Sequence, residues 1–199
     1  MLVIFTNYDQ VSAVLKDCAV QLVKRGNGKI TAKLGPPHSD SERVQKTLMA
    51  TENVTLFYFG HGELPPRGLV AQDMKPGIHV KNLNLLKNRL VFATSCYSAQ
   101  SLAAASKKHG ATIIGYRGEM MVSFRNNDRK LQKQCILAAA MSLLAGNDAA
   151  TAIKAAIKAY SDAAEKLIKE NVEDSTIASA VYQINARALE LSGPNRKMR

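Results

Sequence analysis

The segment Arg89–Ser98 reads RLVFATSCYS, and the predicted fold is built around it. Leu90–Ala93 is a continuous apolar run, the pattern of a strand buried on both faces of a parallel sheet. The chain turns polar at Thr94, and a stretch with helical character begins at Ala99. Cys96 therefore follows a core strand directly, at the edge where open α/β sheets form their ligand crevice.

A second apolar run ends in the same way. Val54–Phe59 predicts another buried strand, and the segment Gly60-His61-Gly62-Glu63 follows it. If the two strands are parallel neighbours, His61 and Cys96 emerge side by side at one edge of the sheet. The glycines on both sides of His61 permit a tight turn and a close approach of a substrate.

Further strands and helices alternate along the first two thirds of the chain. The patterns predict strands at residues 2–6 and 111–116, a weaker strand at 29–34, and hairpin arms at 69–71 and 78–80. They predict helices at residues 11–23, 83–87 and 99–109, and one from Ser39 or Ser41 to about Ala50. Asp9 is a suitable cap for the first of these helices.

From Asp128 onward the apolar spacing is helical throughout. It predicts three helices, of which the longest begins at about Ala149 and the last begins at about Ser175. The apolar stripe of the longest helix either packs on the core or receives a partner helix. The stripe of the last helix consists of Ile177, Val181, Ile184, Ala188 and Leu191. The predicted fold is a single α/β domain, a three-layer sandwich with a mainly parallel sheet at residues 1–125 and C-terminal helices at 126–199.

The composition excludes several classes of protein. The 199 residues are 46% apolar, which suits one globular domain with a full core. No apolar run reaches the roughly 20 residues of a membrane helix, and Leu2–Phe5 is too short for a signal peptide. The three cysteines, Cys18, Cys96 and Cys135, are odd in number and widely spaced, which disfavours a disulfide framework or a zinc site. We therefore expect a cytoplasmic protein without a metal.

The net charge of +11 is compatible with a solvated basic surface or with an acidic partner such as nucleic acid. Seven basic residues stand against two acids between Lys107 and Lys133, and Arg196–Arg199 forms a basic tail. No cationic run is interleaved with stacking aromatics, and no nucleic-acid-binding motif is present. The simpler interpretation is a solvated basic surface, with nucleic acid left open as a partner.

The combination of His61 and Cys96 suits nucleophilic catalysis. A cysteine attacks a carbonyl as its thiolate, and a histidine can take the thiol proton and later protonate the leaving amine. The backbone N–H groups of Gly62 and Cys96 are placed to stabilise the developing oxyanion. Each residue also has a simpler interpretation, because a cysteine after a strand is commonly a small core residue and a histidine between glycines is commonly a loop residue.

The order of these motifs resembles a known family. An apolar strand followed by His61-Gly62, then, 35 residues after the histidine, an apolar strand ending in Ser95-Cys96, is similar to the caspase-like (clan CD) cysteine peptidases. Residues 61–73 are similar to caspases in order and spacing. Residues 110–115 (GATIIG) and 143–153 (LLAGNDAATAI) resemble the CHAT-domain branch of the family. The segment Ile4–Cys18 resembles metacaspases faintly.

The resemblance implies a caspase-like sheet and a cysteine-type endopeptidase that acts on specific protein substrates through a thioester acyl-enzyme. It implies His61 as general acid and base, Cys96 as nucleophile, Gly62 and Cys96 as backbone oxyanion donors, and no metal or organic cofactor. Such enzymes act in signalling, cell death or bacterial defence, and a regulatory protein partner fits a chain of this size. Two departures concern the specificity pocket: Gln21 stands where metacaspases carry an acid, and Tyr97-Ser98-Ala99 replaces a glycine-rich continuation.

The residue preference depends on the charge at the base of the substrate pocket. An acidic side chain there selects arginine or lysine, and Asp9, Asp73 and Glu119 all lie in loops expected near the strand ends. Arg117 would favour an acidic residue instead, and we expect the basic preference. Two other functions stay open: a catalytically silent caspase-like interaction module, and a basic nucleic-acid-binding protein.

Overall fold

The computed structural model describes residues 1–26, 28–125, 128–170 and 174–198. The strands in these ranges are β1 (Leu2–Phe5), β2 (Ala32–Leu34), β3 (Leu56–Phe59), β4 (Gly62–Glu63), β5 (Gly68–Val70), β6 (Pro76–Ile78), β7 (Leu90–Thr94), β8 (Thr112–Tyr116) and β9 (Leu189–Ser192). The helices are α1 (Gln10–Arg25), α2 (Ser41–Ala50), α3 (Ser98–His109), α4 (Arg129–Leu144), α5 (Ala149–Glu170) and α6 (Ser175–Ala188), with a 3-10 turn at Leu83–Leu86.

Six strands form the main sheet in the order β2-β1-β3-β7-β8-β9. The first five run parallel, and β9 pairs antiparallel to β8 at the edge. The predicted α/β class and its mainly parallel sheet are confirmed. Strand β9 corrects the sequence analysis, which placed Leu191 on the last helix. A second, three-stranded antiparallel sheet, β4-β5-β6, contains the predicted hairpin.

The main sheet lies between two helical layers. Alternate residues such as Val3, Phe57 and Phe92 face the cluster that includes residues of α1, α4, α5 and α6. The intervening residues, such as Ile4 and Val91, face the cluster that includes residues of α2 and α3. Both faces of the four central strands, β1, β3, β7 and β8, are therefore buried, which is why these strands read as continuous apolar runs rather than alternating ones.

The expected start of α2 at Ser39 or Ser41 is wrong in its cap. Asp40, not Ser39 or Ser41, caps α2 by accepting a hydrogen bond from the Arg43 N–H at 3.0 Å. Ser39 is instead buried, and its hydroxyl donates to the Phe5 carbonyl at 2.8 Å.

The last helix also differs from its predicted pattern. α6 buries Ala178 and Tyr182, whereas Ile177 and Ile184 of the predicted stripe are 69% and 44% exposed. None of the described helices is both long and apolar enough to cross a membrane. Residues 126–127, at the start of the predicted helical segment, and Arg199, in the predicted basic tail, lie outside the described residues.

Candidate functional site

His61 and Cys96 follow two strands that lie side by side. β3 and β7 pair in parallel, and Phe59 stands opposite Thr94 at their carboxyl ends. The chain leaves β3 at Gly60, whose N–H donates to the Thr94 carbonyl at 3.4 Å. His61 and Cys96 each come two residues after this last register pair. The fold therefore brings both residues to the same edge of the sheet.

This edge is also the place where the strand order reverses. β1 lies between β2 and β3. The chain continues from β1 to β2 on one side and from β3 toward the opposite side of the sheet, so the two connections diverge at the carboxyl ends of β1 and β3. Open α/β sheets form their ligand crevice outside the carboxyl ends of the strands at such a point. Tyr8 and Asp9 follow β1 at this position, and His61 follows β3.

Gly62 brings the turn after β3 against the turn after β7. A Cβ atom at Gly62 would lie 2.1 Å from the Cys96 carbonyl oxygen, so only glycine fits without a backbone shift. The Val70 N–H donates to the His61 carbonyl at 3.0 Å, which makes Gly62 and Leu69 a non-hydrogen-bonded pair of the antiparallel ladder. The Gly62 N–H therefore points away from β5.

The imidazole of His61 is held by the two residues after β1. Its Nε2 lies 2.8 Å from Oδ2 of Asp9. Its ring stacks on Tyr8, with the centroids 5.2 Å apart and the planes at 26°. The contact is close, although the Nε2 atom lacks the angular geometry of a well-aligned hydrogen bond to the carboxylate. The imidazole is thus oriented from the side of β1.

Asp9 is itself fixed by the start of α1. Its Oδ1 accepts hydrogen bonds from the Ser12 N–H at 2.8 Å and from the Ser12 hydroxyl at 2.7 Å, which completes a capping box. Burial opposes ionisation of the carboxyl, but the hydrogen bonds from Ser12 and the neighbouring His61 outweigh it and lower the pKa of Asp9. The predicted cap is confirmed, and the same carboxylate also supports the imidazole.

Cys96 is half-buried in the turn between β7 and α3. Its contacts come from the loop after β8, on the side of β7 away from β1. The Met120 N–H donates to Sγ of Cys96 at 3.3 Å. Burial raises the pKa of Cys96 and the charge of Glu119 raises it further, while the Met120 and Cys96 amides oppose this rise. The net direction is upward, so the resting side chain is a thiol.

The turn that carries Cys96 has a strained backbone with fixed contacts. Tyr97 has a φ of 53°, in the left-handed region that favours glycine. The buried hydroxyl of Ser98 donates to the Ser95 carbonyl at 2.8 Å and accepts from the Tyr116 N–H at 3.0 Å. Strained residues of this kind persist where the surroundings determine them, and they cluster at functional sites.

The imidazole and the thiol contact opposite neighbours. His61 contacts the loop after β1, whereas Cys96 contacts the loop after β8. Within the part of the chain that the structure describes, no hydrogen bond joins the two side chains. Proton transfer between them requires the imidazole to approach the sulfur.

Several buried hydroxyl groups at this edge have no hydrogen-bond partner among the described residues. They belong to Thr6, Tyr8, Thr94 and Ser95, which follow or end β1 and β7. Buried polar groups are normally satisfied, and each exception calls for an explanation. These hydroxyls can therefore bond to solvent or to a ligand at this edge of the sheet.

The three acids considered for the substrate pocket have different surroundings. Asp9 supports His61, as described above. Asp73 accepts hydrogen bonds from the Ser41 hydroxyl at 2.8 Å and the Ser41 N–H at 3.1 Å, so it is engaged at the start of α2. Glu119 lies beside Cys96, and its Oε1 accepts a long hydrogen bond of 3.4 Å from the Tyr97 hydroxyl. Of these three acids, Glu119 is the one whose charge raises the pKa of the Cys96 thiol.

Tyr8 and Met120 also contact the two candidate residues, and neither was predicted from the sequence. Tyr8 follows an apolar strand as closely as His61 does, so its position carried a usable signal. Met120 contributes its backbone N–H, and a role of the backbone cannot be predicted from the residue type.

A surface cavity of about 880 Å³ lies instead at the C-terminal ends of α2 and α3. Its buried Arg89 donates to the carbonyls of Leu48, Val54 and Leu85. These bonds satisfy the last turn of α2 and the following loop, so we assign the arginine a structural role.

No protein-family model matches this chain, and no curated protein sequence is significantly similar to it. We therefore infer the function from the geometry at the sheet edge and from the motif resemblance.

Proposed function

We propose that the protein is a cysteine endopeptidase of the caspase-like type, with His61 and Cys96 as its catalytic residues. The observation that carries the proposal is the position of both residues, two places beyond the paired ends of neighbouring parallel strands. Acyl transfer requires a nucleophile, a base and a donor for the oxyanion. The thiol of Cys96 and the imidazole of His61 are the first two, and the Gly62 N–H, which points away from β5, is the proposed donor.

The proposed reaction proceeds in two steps. His61 takes the proton of the Cys96 thiol, and the thiolate attacks the substrate carbonyl while the C=O electrons move to oxygen. Collapse of this intermediate breaks the C–N bond, His61 protonates the leaving amine, and a thioester remains on Cys96. In the second step His61 takes a proton from water, the hydroxide displaces the thiolate, and the product acid leaves.

Two features of the site support this sequence. The carboxylate of Asp9, 2.8 Å from Nε2, orients the imidazole and stabilises the imidazolium that forms. The N–H groups of Gly62 and Cys96 are the proposed oxyanion donors, and Gly62 abuts the Cys96 carbonyl. We expect His61 to approach the sulfur when a substrate or partner binds, because catalytic hydrogen bonds tighten in the bound complex.

The proposed substrates carry arginine or lysine before the scissile bond. Glu119 is the acid beside Cys96, while Asp9 and Asp73 are engaged with His61 and Ser41. The alternative, in which Arg117 selects an acidic residue, is weaker because Glu190 lies 2.8 Å from its Nε.

The proposed setting is the cytoplasm, in bacterial signalling or defence, with a regulatory protein as a possible activator. Support for a reducing compartment comes from the three cysteines, which are all free thiols.

The second candidate is a catalytically silent interaction module with the same fold. One observation favours it: His61 and Cys96 contact opposite neighbours and share no hydrogen bond in the described structure. A module that only binds partners has no need to bring the two groups together.

Labelling with active-site probes separates the two candidates. Peptide acyloxymethyl ketones that carry Arg, Lys, Asp or Asn at the recognition position are incubated with the full chain, and mass spectrometry locates the adduct. We expect the Arg and Lys probes to modify Cys96 in the wild type and to leave His61→Ala unmodified. Burial raises the pKa of Cys18 and of Cys135 to about 12, so these two thiols serve as internal controls.

Absence of an adduct at Cys96 with every probe would favour the silent module. Cleavage assays complete the test, because Cys96→Ala and His61→Ala should each abolish peptide hydrolysis while the circular dichroism spectrum stays unchanged. Hydrolysis at the wild-type rate by either variant would refute the assignment of the dyad.

A further inference from the structure

A shallow groove of about 370 Å³ separates the C-terminal part of α1 from the first turns of α4. The side chains that line it are four cations and two carboxamides: Gln21, Arg25, Arg129, Lys130, Lys133 and Gln134. No carboxylate lines this groove. Lys133 is balanced by Asp17, whose Oδ2 lies 2.7 Å from the Lys133 Nζ. Two acids, Asp128 and Glu170, line the neighbouring cavity that Lys130 also borders.

Three of the four cations are uncompensated. Within the described ranges, Arg25, Arg129 and Lys130 form no ion pair, and all three are exposed. By contrast, two exposed cations of α5, Lys158 and Lys166, pair with acids one helical turn away. The groove therefore presents three cations that make no ion pair with the described residues.

The position of two of these cations opposes local helix energetics. The amino end of a helix carries a partial positive charge, which favours acids and disfavours lysine and arginine. α4 nevertheless begins with Arg129 and Lys130, and it has no acid in its first turn. Asp128, at the N-cap, makes no side-chain cap. A local arrangement that weakens the helix without a visible structural gain points to a functional demand.

We propose that this basic groove, defined by Arg25, Arg129, Lys130 and Lys133, binds an acidic segment of a partner protein. Arginine forks pair with carboxylates through two parallel hydrogen bonds, and the helix amino end adds a favourable field for an anion. The Gln21 and Gln134 carboxamides flank the cations and can bond a peptide backbone.

A peptide fits the groove better than a nucleic acid. The groove has room for a few residues only, and no aromatic side chain lines it. Proteins that bind single strands stack successive bases on aromatic side chains, and duplex binders follow phosphates over a longer track. The short cationic groove with flanking amides matches clustered carboxylates on one peptide.

The test measures binding of a fluorescein-labelled octaglutamate peptide to the full chain by anisotropy, with a thymidine octanucleotide as the competing anion. The test variant is R129Q/K130Q. The matched control is K107Q/K108Q, which removes two exposed lysines from the end of α3 and changes the net charge equally.

We expect the peptide to bind the wild type with an affinity that falls with salt. R129Q/K130Q should weaken binding about tenfold or more, and K107Q/K108Q should change it less than about twofold. R129Q/K130Q should also melt at or above the wild-type temperature, because it removes cations from the positive end of α4. A loss of binding together with an undiminished melting temperature cannot arise from unfolding.

Three results would overturn the proposal. The wild type does not bind the peptide, or both double variants weaken binding equally, which would mean that net charge alone is responsible. In the third, the octanucleotide binds more tightly than the peptide and is lost with R129Q/K130Q, which would assign the groove to nucleic acid. None of these results depends on whether Cys96 is catalytic.

Discussion

The ends of β3 and β7 present the two reactive side chains in different ways. After β3, His61 is held by side chains, the carboxylate of Asp9 and the ring of Tyr8. After β7, Cys96 is held by backbone, the Met120 N–H and a strained turn at Tyr97. Substitution of Asp9 or Tyr8 can therefore remove the side-chain contacts that hold the base. The contacts that hold the nucleophile come from the backbone, so substitution of a neighbouring side chain does not remove them.

The largest effect is expected where the two strand ends touch. In Gly62→Ala the new Cβ would lie 2.1 Å from the Cys96 carbonyl oxygen, so the backbone must move and the proposed oxyanion donor moves with it. We expect kcat for an arginine peptide to fall by about 10²–10³-fold, the effect of losing one oxyanion donor.

Gly118→Ala is the matched control for this substitution. Gly118 lies in the loop near Cys96, and a Cβ there would meet nothing within 4 Å. The control should keep kcat within about twofold, because it makes the same chemical change without a clash. Equal activity of the two variants would show that Gly62 does not position the site.

The second prediction removes the charge that supports His61. Asp9→Asn keeps a good helix cap but loses the carboxylate 2.8 Å from Nε2. We expect kcat/KM to fall by roughly 10²-fold, less than the loss for a fully buried triad aspartate because Asp9 is 43% exposed. Asp40→Asn, which alters the cap of α2 in the same way, should leave kcat/KM unchanged.

Acid unfolding gives the Asp9 contact a second, independent readout. The pKa of Asp9 is lowered in the folded chain, so its ionised form stabilises the fold above the unfolded value of about 3.9. That contribution is lost as the pH falls through the lower folded pKa. Asp9→Asn should therefore differ from the wild type in stability at neutral pH and converge with it in strong acid. A constant difference at every pH would contradict this account.

The apolar strand runs made most of the sheet predictable from the sequence. Residues such as Val91 and Phe57 are buried from both sides, and continuous apolar runs identify such strands well. β9 was not predicted, because Leu189–Ser192 follows α6 directly and its apolar residues continue the helical spacing. Only its pairing with β8 makes it a strand, and pairing between distant segments leaves no local signal.

The candidate site was predictable in part for the same reason. The positions of His61 and Cys96 after two apolar runs predicted that they lie at the same edge of the sheet, because parallel register aligns the carboxyl ends of adjacent strands. The contact between Asp9 and His61 was not predictable, because it depends on the position of β1 beside β3. Likewise, three loop acids looked equivalent in the sequence, and only the fold separates Glu119 from Asp73.

The third prediction concerns the charge beside the nucleophile. Glu119 raises the pKa of Cys96, so Glu119→Gln should increase the thiolate fraction near neutral pH. We expect alkylation of Cys96 by iodoacetamide to accelerate about three- to tenfold, measured by mass spectrometry. The same variant should lose its preference for arginine and lysine probes. Asp73→Asn should change neither rate nor preference, and equal effects of both variants would refute the special position of Glu119.

The smallest effect is expected at the ring that stacks on His61. Tyr8→Leu removes the stacking partner 5.2 Å from the imidazole centroid, whereas Tyr8→Phe keeps it and removes only a hydroxyl without a partner in the described structure. Aromatic pairs contribute about 0.5–1.5 kcal/mol beyond area burial, so Tyr8→Leu should lower kcat/KM about two- to tenfold. Tyr8→Phe should retain wild-type activity, because the ring and not the hydroxyl holds the imidazole. If both variants lose activity equally, the hydroxyl is the functional group, and the support of His61 extends through polar contacts beyond Asp9.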